Sequence, residues 1–345
     1  MLNILVHRPK GGLGDVVMTL SVVRALRRYE PACSITYVGP ESCGELLALC
    51  PDIDKLRLVP ARVDVPMNMA LRAGSGTPYQ QAFCGPLQYY DHIIDLWCPC
   101  HAYELKMREG APWQPRVEIF LRHAGLFYDR HPEPCPRPLL VVPSVLRVEA
   151  YARFEKYPVV ALAPRSLHQC RNWPLENWKN LYEQLWSSVH NLVVLGGDRD
   201  RDLTMLDPLC YLGRPLDLVA ALVERADLLI SADSGLLHLA WALGTPTIGL
   251  FGATDGPTTC RWYPTVMQAP TTQDEFRRFA HIGRAVCDHP CYYQYKCDAQ
   301  HCAVLDAIPV ERVMDDVRDW IELRRPEPLP ERTFSPQLAP EAHLQ

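Results

Sequence analysis

The sequence predicts an α/β protein built from two Rossmann-like, doubly wound halves that face each other across a cleft. Three observations carry that reading. Short apolar runs at residues 3–6, 159–163 and 228–230 have the length and composition of strands buried on both faces of a parallel sheet. Each is followed by a turn of glycine or small polar residues and then by apolar residues at helical spacing, the strand–helix unit of an open parallel sheet. The alternation starts twice, at the N-terminus and again near residue 159, and between the two series lies a stretch with four prolines at 132, 134, 136 and 138. The domains expected are 1–150 and 151–325, followed by a Pro-rich tail, 326–345, whose lack of apolar periodicity predicts disorder.

In the first half, residues 3–6 form the first strand. A glycine-rich turn with Gly11, Gly12 and Gly14 leads into a helix whose apolar side is Val16, Val17, Leu20, Val23, Ala25 and Leu26. The turn fits neither familiar nucleotide motif. A P-loop needs Gly-Lys-Ser/Thr where Gly14 is followed by Asp15, and the dinucleotide fingerprint needs a different glycine spacing. The carboxylate of Asp15 also repels phosphate from the N–H groups around it. Strands follow at 34–38 and 55–59, with a helix over 45–50 between them. Residues 61–90 show no clean period and read as a variable loop region suited to substrate selection. A strand at 92–97, helices at 117–126 and 145–154, and a short strand at 139–142 complete this half.

The second half opens with the strand 159–163 and a loop through Asn172. Trp173-Pro174 starts a helix over 175–186, followed by a strand at 192–195 and a helix at 218–225. The stretch 228–257 then reads strand, tight turn, helix, strand, turn. Ser231-Ala232-Asp233-Ser234-Gly235 is suited to a sharp turn and helix start, and Gly244 with Pro246 ends that helix. Unpaired N–H groups and the positive end of the dipole make such a start an anion site, so Ser234, Gly235 and Leu236 are read as a phosphate cradle. On the turn alone, an ordinary helix cap is the preferred reading and the cradle the alternative. A final amphipathic helix spans 310–323.

Composition narrows the function. With 345 residues, 48% hydrophobic and 22% charged, the chain has ample core for two domains. A net charge of −5 and a pI near 6.2 give no electrostatic footprint for nucleic acid. No run approaches a membrane span, and the N-terminus lacks the apolar region of a signal peptide, so a cytoplasmic address with reduced thiols is expected. Fourteen cysteines are many for such a protein. Ten are scattered, and four crowd together: Cys287, Cys291, Cys297 and Cys302. Four thiolates in sixteen residues are enough to enclose a structural zinc or iron ion, although the spacing lacks a C-x2-C pair; free thiols are the alternative.

Three motifs, in this order, resemble glycosyltransferase family nine, the heptosyltransferases of lipopolysaccharide inner core. They are Gly12-Leu13-Gly14-Asp15-Val16; Arg171-Asn172-Trp173-Pro174-Leu175-Glu176-Asn177-Trp178; and Asp233-Ser234-Gly235-Leu236-Leu237-His238-Leu239-Ala240, with Pro246 and Phe251-Gly252-Ala253-Thr254. The resemblance implies a GT-B architecture, with the acceptor in the N-terminal domain and a nucleotide sugar, ADP-heptose above others, in the C-terminal one. It implies Asp15 as the base that deprotonates an acceptor hydroxyl, and Arg171 as a diphosphate ligand. The cradle Ser234, Gly235 and Leu236 would then hold the diphosphate, with Ser166, Asp233, His238 and Thr254 around it. Similar cysteine-rich segments occur in the family, including an iron-bound one. No catalytic metal is implied, and Asp198 and Asp200 read as a solvated loop. The partners expected are the nucleotide-sugar donor and a glycan, glycolipid or protein acceptor, with peripheral association at the inner face of a membrane compatible. Two other readings stay open: a sugar-nucleotide-binding protein without transfer, and a Rossmann oxidoreductase.

Overall fold

The computed structural model describes residues 1–65, 77–97, 114–127, 134–152, 154, 158–189, 191–207, 209–263, 266–269 and 302–323. Two parallel sheets organise them. The first comprises β1 (Asn3–His7), β2 (Ser34–Pro40), β3 (Lys55–Val59) and β4 (His92–Asp95), in the order β3-β2-β1-β4. The second comprises β5 (Val159–Ala163), β6 (Asn191–Gly196), β7 (Tyr211–Leu212), β8 (Leu228–Ala232), β9 (Thr247–Leu250) and β10 (Val266–Ala269), in the order β10-β9-β8-β5-β6-β7. Numbered from its own first strand, that is the 3-2-1-4-5-6 order of a Rossmann fold, read from the other edge. The order reverses between β1 and β4 in one sheet and between β5 and β8 in the other. At such points the loops at the strand C-termini part and leave a crevice.

The helices are α1 (Leu13–Tyr29), α2 (Gly44–Leu47), α3 (Arg116–His123) and α4 (Ser144–Ala152) in the first half. The second half carries α5 (Leu175–Ser188), α6 (Leu216–Arg225), α7 (Gly235–Leu243), α8 (Gly256–Thr259), α9 (Ala303–Asp306) and α10 (Val310–Leu323). One apolar core joins the halves, running from Val17 and Leu20 of α1 and Phe120 of α3 to Val219 of α6 and Trp241 of α7. The outer face of the second sheet packs on α5 and α10 through Leu181, Leu185, Val313 and Val317. A smaller cluster of Leu5, Val38, Val59 and Cys84 covers the other face of the first sheet. Between the halves, the Glu45 carboxylate of α2 accepts from the Leu216 N–H at 2.6 Å, so one domain caps the N-terminus of a helix in the other.

Several boundaries differ from expectation, for local reasons. Residues 139–142 do not join a sheet. Pro136, Pro138 and Pro143 interrupt the N–H row there, and the Val141 N–H donates to Leu49 O at the end of the α2 turn. The helix expected over 45–50 is a 3-10 turn (Glu41–Cys43) followed by one turn of α-helix, stopped before Pro51. β7 and β10 were not anticipated; β7 has only two residues, too few for a period. The 326–345 tail lies outside the described residues.

The two domains meet at glycines. A Cβ on Gly14 of α1 would stand 2.4 Å from His238 Cδ2 and 3.4 Å from the Gly235 Cα, while one on Gly235 would meet Leu13 at 2.6 Å. The N-terminal turns of α1 and α7 therefore touch backbone to backbone. The His238 ring has little room to yield, because Tyr263 holds it and stacks in turn on Trp241, with centroids 4.2 Å apart. Gly14→Ala should push the two helix starts apart, lower the melting temperature by several degrees and reduce donor turnover at least tenfold. Thermal unfolding and initial rates check this; a variant with wild-type values for both would show that the close approach is dispensable.

Candidate active site

The cleft site is assembled from loops at the C-terminal ends of both sheets. Its first component is Asp15, in the first turn of α1. One carboxylate oxygen lies 2.7 Å from Arg116 Nη1 at the start of α3, and the other lies 3.4 Å from Arg8 Nη2, just after β1. Arg8 is itself buried, donates to Leu96 O and stands over the Phe120 ring. Gly11, at φ +140°, presents no side chain where the Arg8 guanidinium passes. Burial alone would raise the Asp15 pKa, but Arg116 and Arg8 outweigh it and hold the carboxyl below its ordinary value. Asp15 is thus an ionised, oriented and weakly basic carboxylate. Sequence reasoning missed both arginines. Arg8 carries no motif of its own, and Arg116 lies 101 residues away from the aspartate it grips.

The second component is the start of α7. Ser234 is its N-cap residue, its side chain makes no capping bond, and Ser234, Gly235 and Leu236 are each partly open to solvent. The first N–H groups of a helix have no partner within it, so this turn presents donors and a positive dipole end to the cleft. At the far end, Gly244 adopts φ +81° and closes the helix with its own N–H on Ala240 and Trp241.

The third component joins three loops through charge. Arg171, after β5, places Nε 3.3 Å from the buried carboxylate of Asp233, after β8. Thr254, after β9, donates its hydroxyl to the same carboxylate. Burial raises the Asp233 pKa, and Arg171 together with the Thr254 hydrogen bond more than reverses this. The loop that carries Arg171 is shaped by Asn172, whose Oδ1 accepts from the Ser166 N–H at 2.7 Å. Its tryptophans do a different task. Trp173 and Trp178 are fully buried edge to face at 5.3 Å, and Trp173 Nε1 donates to Ile308 O. They anchor the loop so that Arg171 has a fixed origin. Burial and the charge of Arg171 lower the pKa of His168, on the same loop.

His238 is placed apart from the cradle. Its Nδ1 lies 2.6 Å from the Tyr263 hydroxyl, and its ring edge packs against Gly14. Burial keeps the Tyr263 phenol protonated beside this ring. Of the cysteine cluster, Cys287, Cys291 and Cys297 lie outside the described residues, while Cys302 is buried at the start of α9. Among the described residues no group of three or more His, Cys, Asp or Glu side chains is placed to hold a metal. Asp200 turns back onto the Gly197 N–H of its own loop. No helix among the described residues is long and apolar enough to cross a membrane.

Two parallel sheets with a crevice at the C-terminal ends of each, and a helix start of the second set against Asp15 of the first, make a GT-B architecture. Known proteins agree. Residues 142–279 match the profile of glycosyltransferase family 9 (heptosyltransferase). It is 23% identical to lipopolysaccharide heptosyltransferase 2 of Escherichia coli (strain K12), over 92% of this chain and 97% of the relative. Its fold is that of E. coli ADP-heptose lps heptosyltransferase II (TM-score 0.61, 19% identity, 93% and 99% of the two chains). It is also that of a family 9 glycosyl transferase from Veillonella parvula (TM-score 0.63, 17% identity, 93% and 98%). The broken dinucleotide fingerprint thus belongs to a glycosyltransferase and not to an oxidoreductase.

The His238 environment has a measurable consequence. Burial lowers its pKa from 6.5 to about 4, against the pull of Asp233 and Asp15 and with help from Arg116 and Arg171. The unfolded chain therefore takes this proton near pH 6.5 and the native chain only near 4. The contribution to stability is complete above the unfolded value and is lost as pH falls toward 4, amounting to about 3 kcal/mol at most. Denaturant unfolding at pH 7.5 and 5 should show a smaller loss for His238→Gln than for the native chain. An equal loss would mean that His238 titrates normally.

Proposed function

We propose that this glycosyltransferase moves a heptose from ADP-heptose to a hydroxyl of a lipopolysaccharide core acceptor, with inversion at the anomeric carbon. The observation that carries the reading is the contact of the two helix starts, which brings Asp15 of one domain beside Ser234–Leu236 of the other. Sugar transfer needs a proton acceptor on the incoming hydroxyl and stabilisation of the charge gathering on the leaving diphosphate. Asp15 takes the first role. Its two arginines make it a weak base, so it orients the hydroxyl early and accepts the proton as the bond to the diphosphate breaks. The α7 start and Arg171 take the second role, supported by Asp233 and Thr254, with Ser166 at the rim of the same loop. Contact between the domains around this point excludes water.

The names of the relatives support heptose as the sugar and lipopolysaccharide as the acceptor. The division of labour, with acceptor in 1–150 and donor in 151–325, follows from the position of Asp15 and the cradle on different sheets. A cytoplasmic enzyme acting at the inner face of a membrane fits such an acceptor. The cysteine-rich segment ending at Cys302 is assigned no chemistry; a zinc or iron ion there would serve to order the chain.

Asp15→Asn should abolish transfer while leaving ADP affinity within a few fold of wild type, because the base faces the acceptor. Wild-type turnover in a folded Asp15→Asn protein removes this residue from the mechanism.

Arg171→Ala should weaken ADP binding by roughly ten- to a hundredfold, the worth of a charged hydrogen bond. It also leaves Asp233 buried without its cation, so stability falls with it. Arg171→Lys separates the two effects. It retains the charge beside Asp233 and loses the planar fork, so stability should recover more than affinity. Titration calorimetry with ADP and thermal unfolding measure both, and unaltered ADP affinity in Arg171→Ala would place the diphosphate elsewhere.

A further inference from the structure

The first sheet has its own crevice between β1 and β4, and a polar chain lies across it. His7, the last residue of β1, is the register partner of Asp95, the last residue of β4. His7 Nδ1 lies 2.9 Å from Asp95 Oδ1, and its Nε2 lies 2.7 Å from the Tyr79 hydroxyl. The ring is fully buried among apolar neighbours that include Leu5 and Val38, whereas Tyr79 is only partly buried. Tyr79 opens the π-helical turn Gln80–Cys84, within the stretch that shows no period in the sequence, and Phe83 packs on its ring at 5.3 Å.

Counting protons gives the chain a direction. An ionised Asp95 only accepts, and it already accepts from the Trp97 N–H, so His7 Nδ1 must donate to it. With its proton on Nδ1, the ring offers Nε2 as an acceptor, and the Tyr79 hydroxyl donates to it. The phenolic oxygen keeps its lone pairs but has no proton left to offer. It can only accept, and what it recognises is a hydroxyl or an N–H. The position is equally specific. His7 and Arg8 are consecutive and leave β1 on opposite sides, one toward Tyr79 and the other toward Asp15. One strand end thus orients both the base and the phenol.

We infer that Tyr79 is an acceptor-binding residue: its oxygen accepts a hydrogen bond from a second hydroxyl of the acceptor sugar, and His7 and Asp95 are the positioning residues that fix its direction. The inference rests on the glycosyl-transfer reading above. A pyranose presents several hydroxyls, and transfer to one of them needs a contact that selects among the rest; an oxygen that only accepts supplies it. A site built around such a contact loses affinity when the oxygen is removed.

The test uses the full chain at pH 8 with ADP-heptose as donor and heptose-free lipopolysaccharide as acceptor. Tyr79→Phe should raise the acceptor KM by roughly three- to tenfold. The donor KM and the affinity for ADP should stay at wild-type values, while the melting temperature falls by a few degrees because the buried His7 Nε2 loses its partner. His7→Gln should give the same split, since it removes the direction of the phenol and not the phenol itself. A Tyr79→Phe protein with an unaltered acceptor KM overturns the inference, as does one in which both KM values change together. Absence of transfer by the wild-type protein overturns the functional reading and this inference with it, whereas transfer with an unmoved acceptor KM removes only the subsite.

Discussion

The contact between Gly14 and Gly235 sets two helix N-termini against each other, and much of the cleft follows from it. Both ends carry partial positive charge and neither has a side-chain cap. Placed together without an anion they would repel. Asp15 supplies one negative charge from within α1, and Asp233 supplies another from the residue before the α7 cap. Arg8, Arg116 and Arg171 more than offset them: three guanidiniums against two carboxylates leave one positive charge in excess, before the helix ends are counted. The resting cleft is therefore short of negative charge at the point where a departing diphosphate would gather it. Side chains larger than hydrogen at Gly14 or Gly235 would separate the helix ends and weaken this concentration of field.

Charge balance also explains why each carboxylate is held as it is. An unpaired buried aspartate becomes neutral by raising its pKa, and a neutral acid neither accepts a proton nor anchors a guanidinium. Asp15 and Asp233 are both kept ionised against burial by arginines from other loops. The same arrangement makes Asp15 a poor base in isolation, so its usefulness depends on the leaving group. In the proposed transfer, proton movement to Asp15 becomes favourable as negative charge moves from the attacking oxygen to the diphosphate on the other domain. Base and phosphate cradle thus depend on each other across the domain contact.

Periodicity in the sequence was enough to find most strands, the long helices and the order of two α/β series, because those patterns are local. The family's short motifs also marked Asp15, Arg171 and the α7 start. What they left unread is what long-range pairing decides. Arg116 meets Asp15 only because α3 packs on α1, and Glu118 of the same helix meets Trp262 from the other half of the chain. His238 read equally as a phosphate ligand one turn into α7 or as a satisfied histidine, and in the fold it is buried with Tyr263 and Gly14 against its ring. Residues 139–142 carried strand composition and lacked an available sheet edge. The tryptophans of the second motif read as part of a functional signature, yet their burial assigns them to packing and leaves the chemistry of that motif to Arg171.

The two sheets repeat one topological device. In each, strand order reverses beside the first strand, and the crevice opens at the C-terminal ends. In the second sheet the reversal lies between β5 and β8, whose following loops carry Ser166, Arg171, Asp233 and Ser234. In the first it lies between β1 and β4, whose ends carry His7, Arg8 and Asp95. The residues differ in kind: cations and backbone donors on one side, acceptors on the other, with Arg8 turned inward to serve Asp15. A diphosphate calls for the first set and a hydroxylated sugar for the second. Because both crevices open toward the same helix contact, a sugar leaving one need travel only to the other. Under the proposed function, the anomeric carbon would lie between a cradle that takes up charge and a base that takes up a proton.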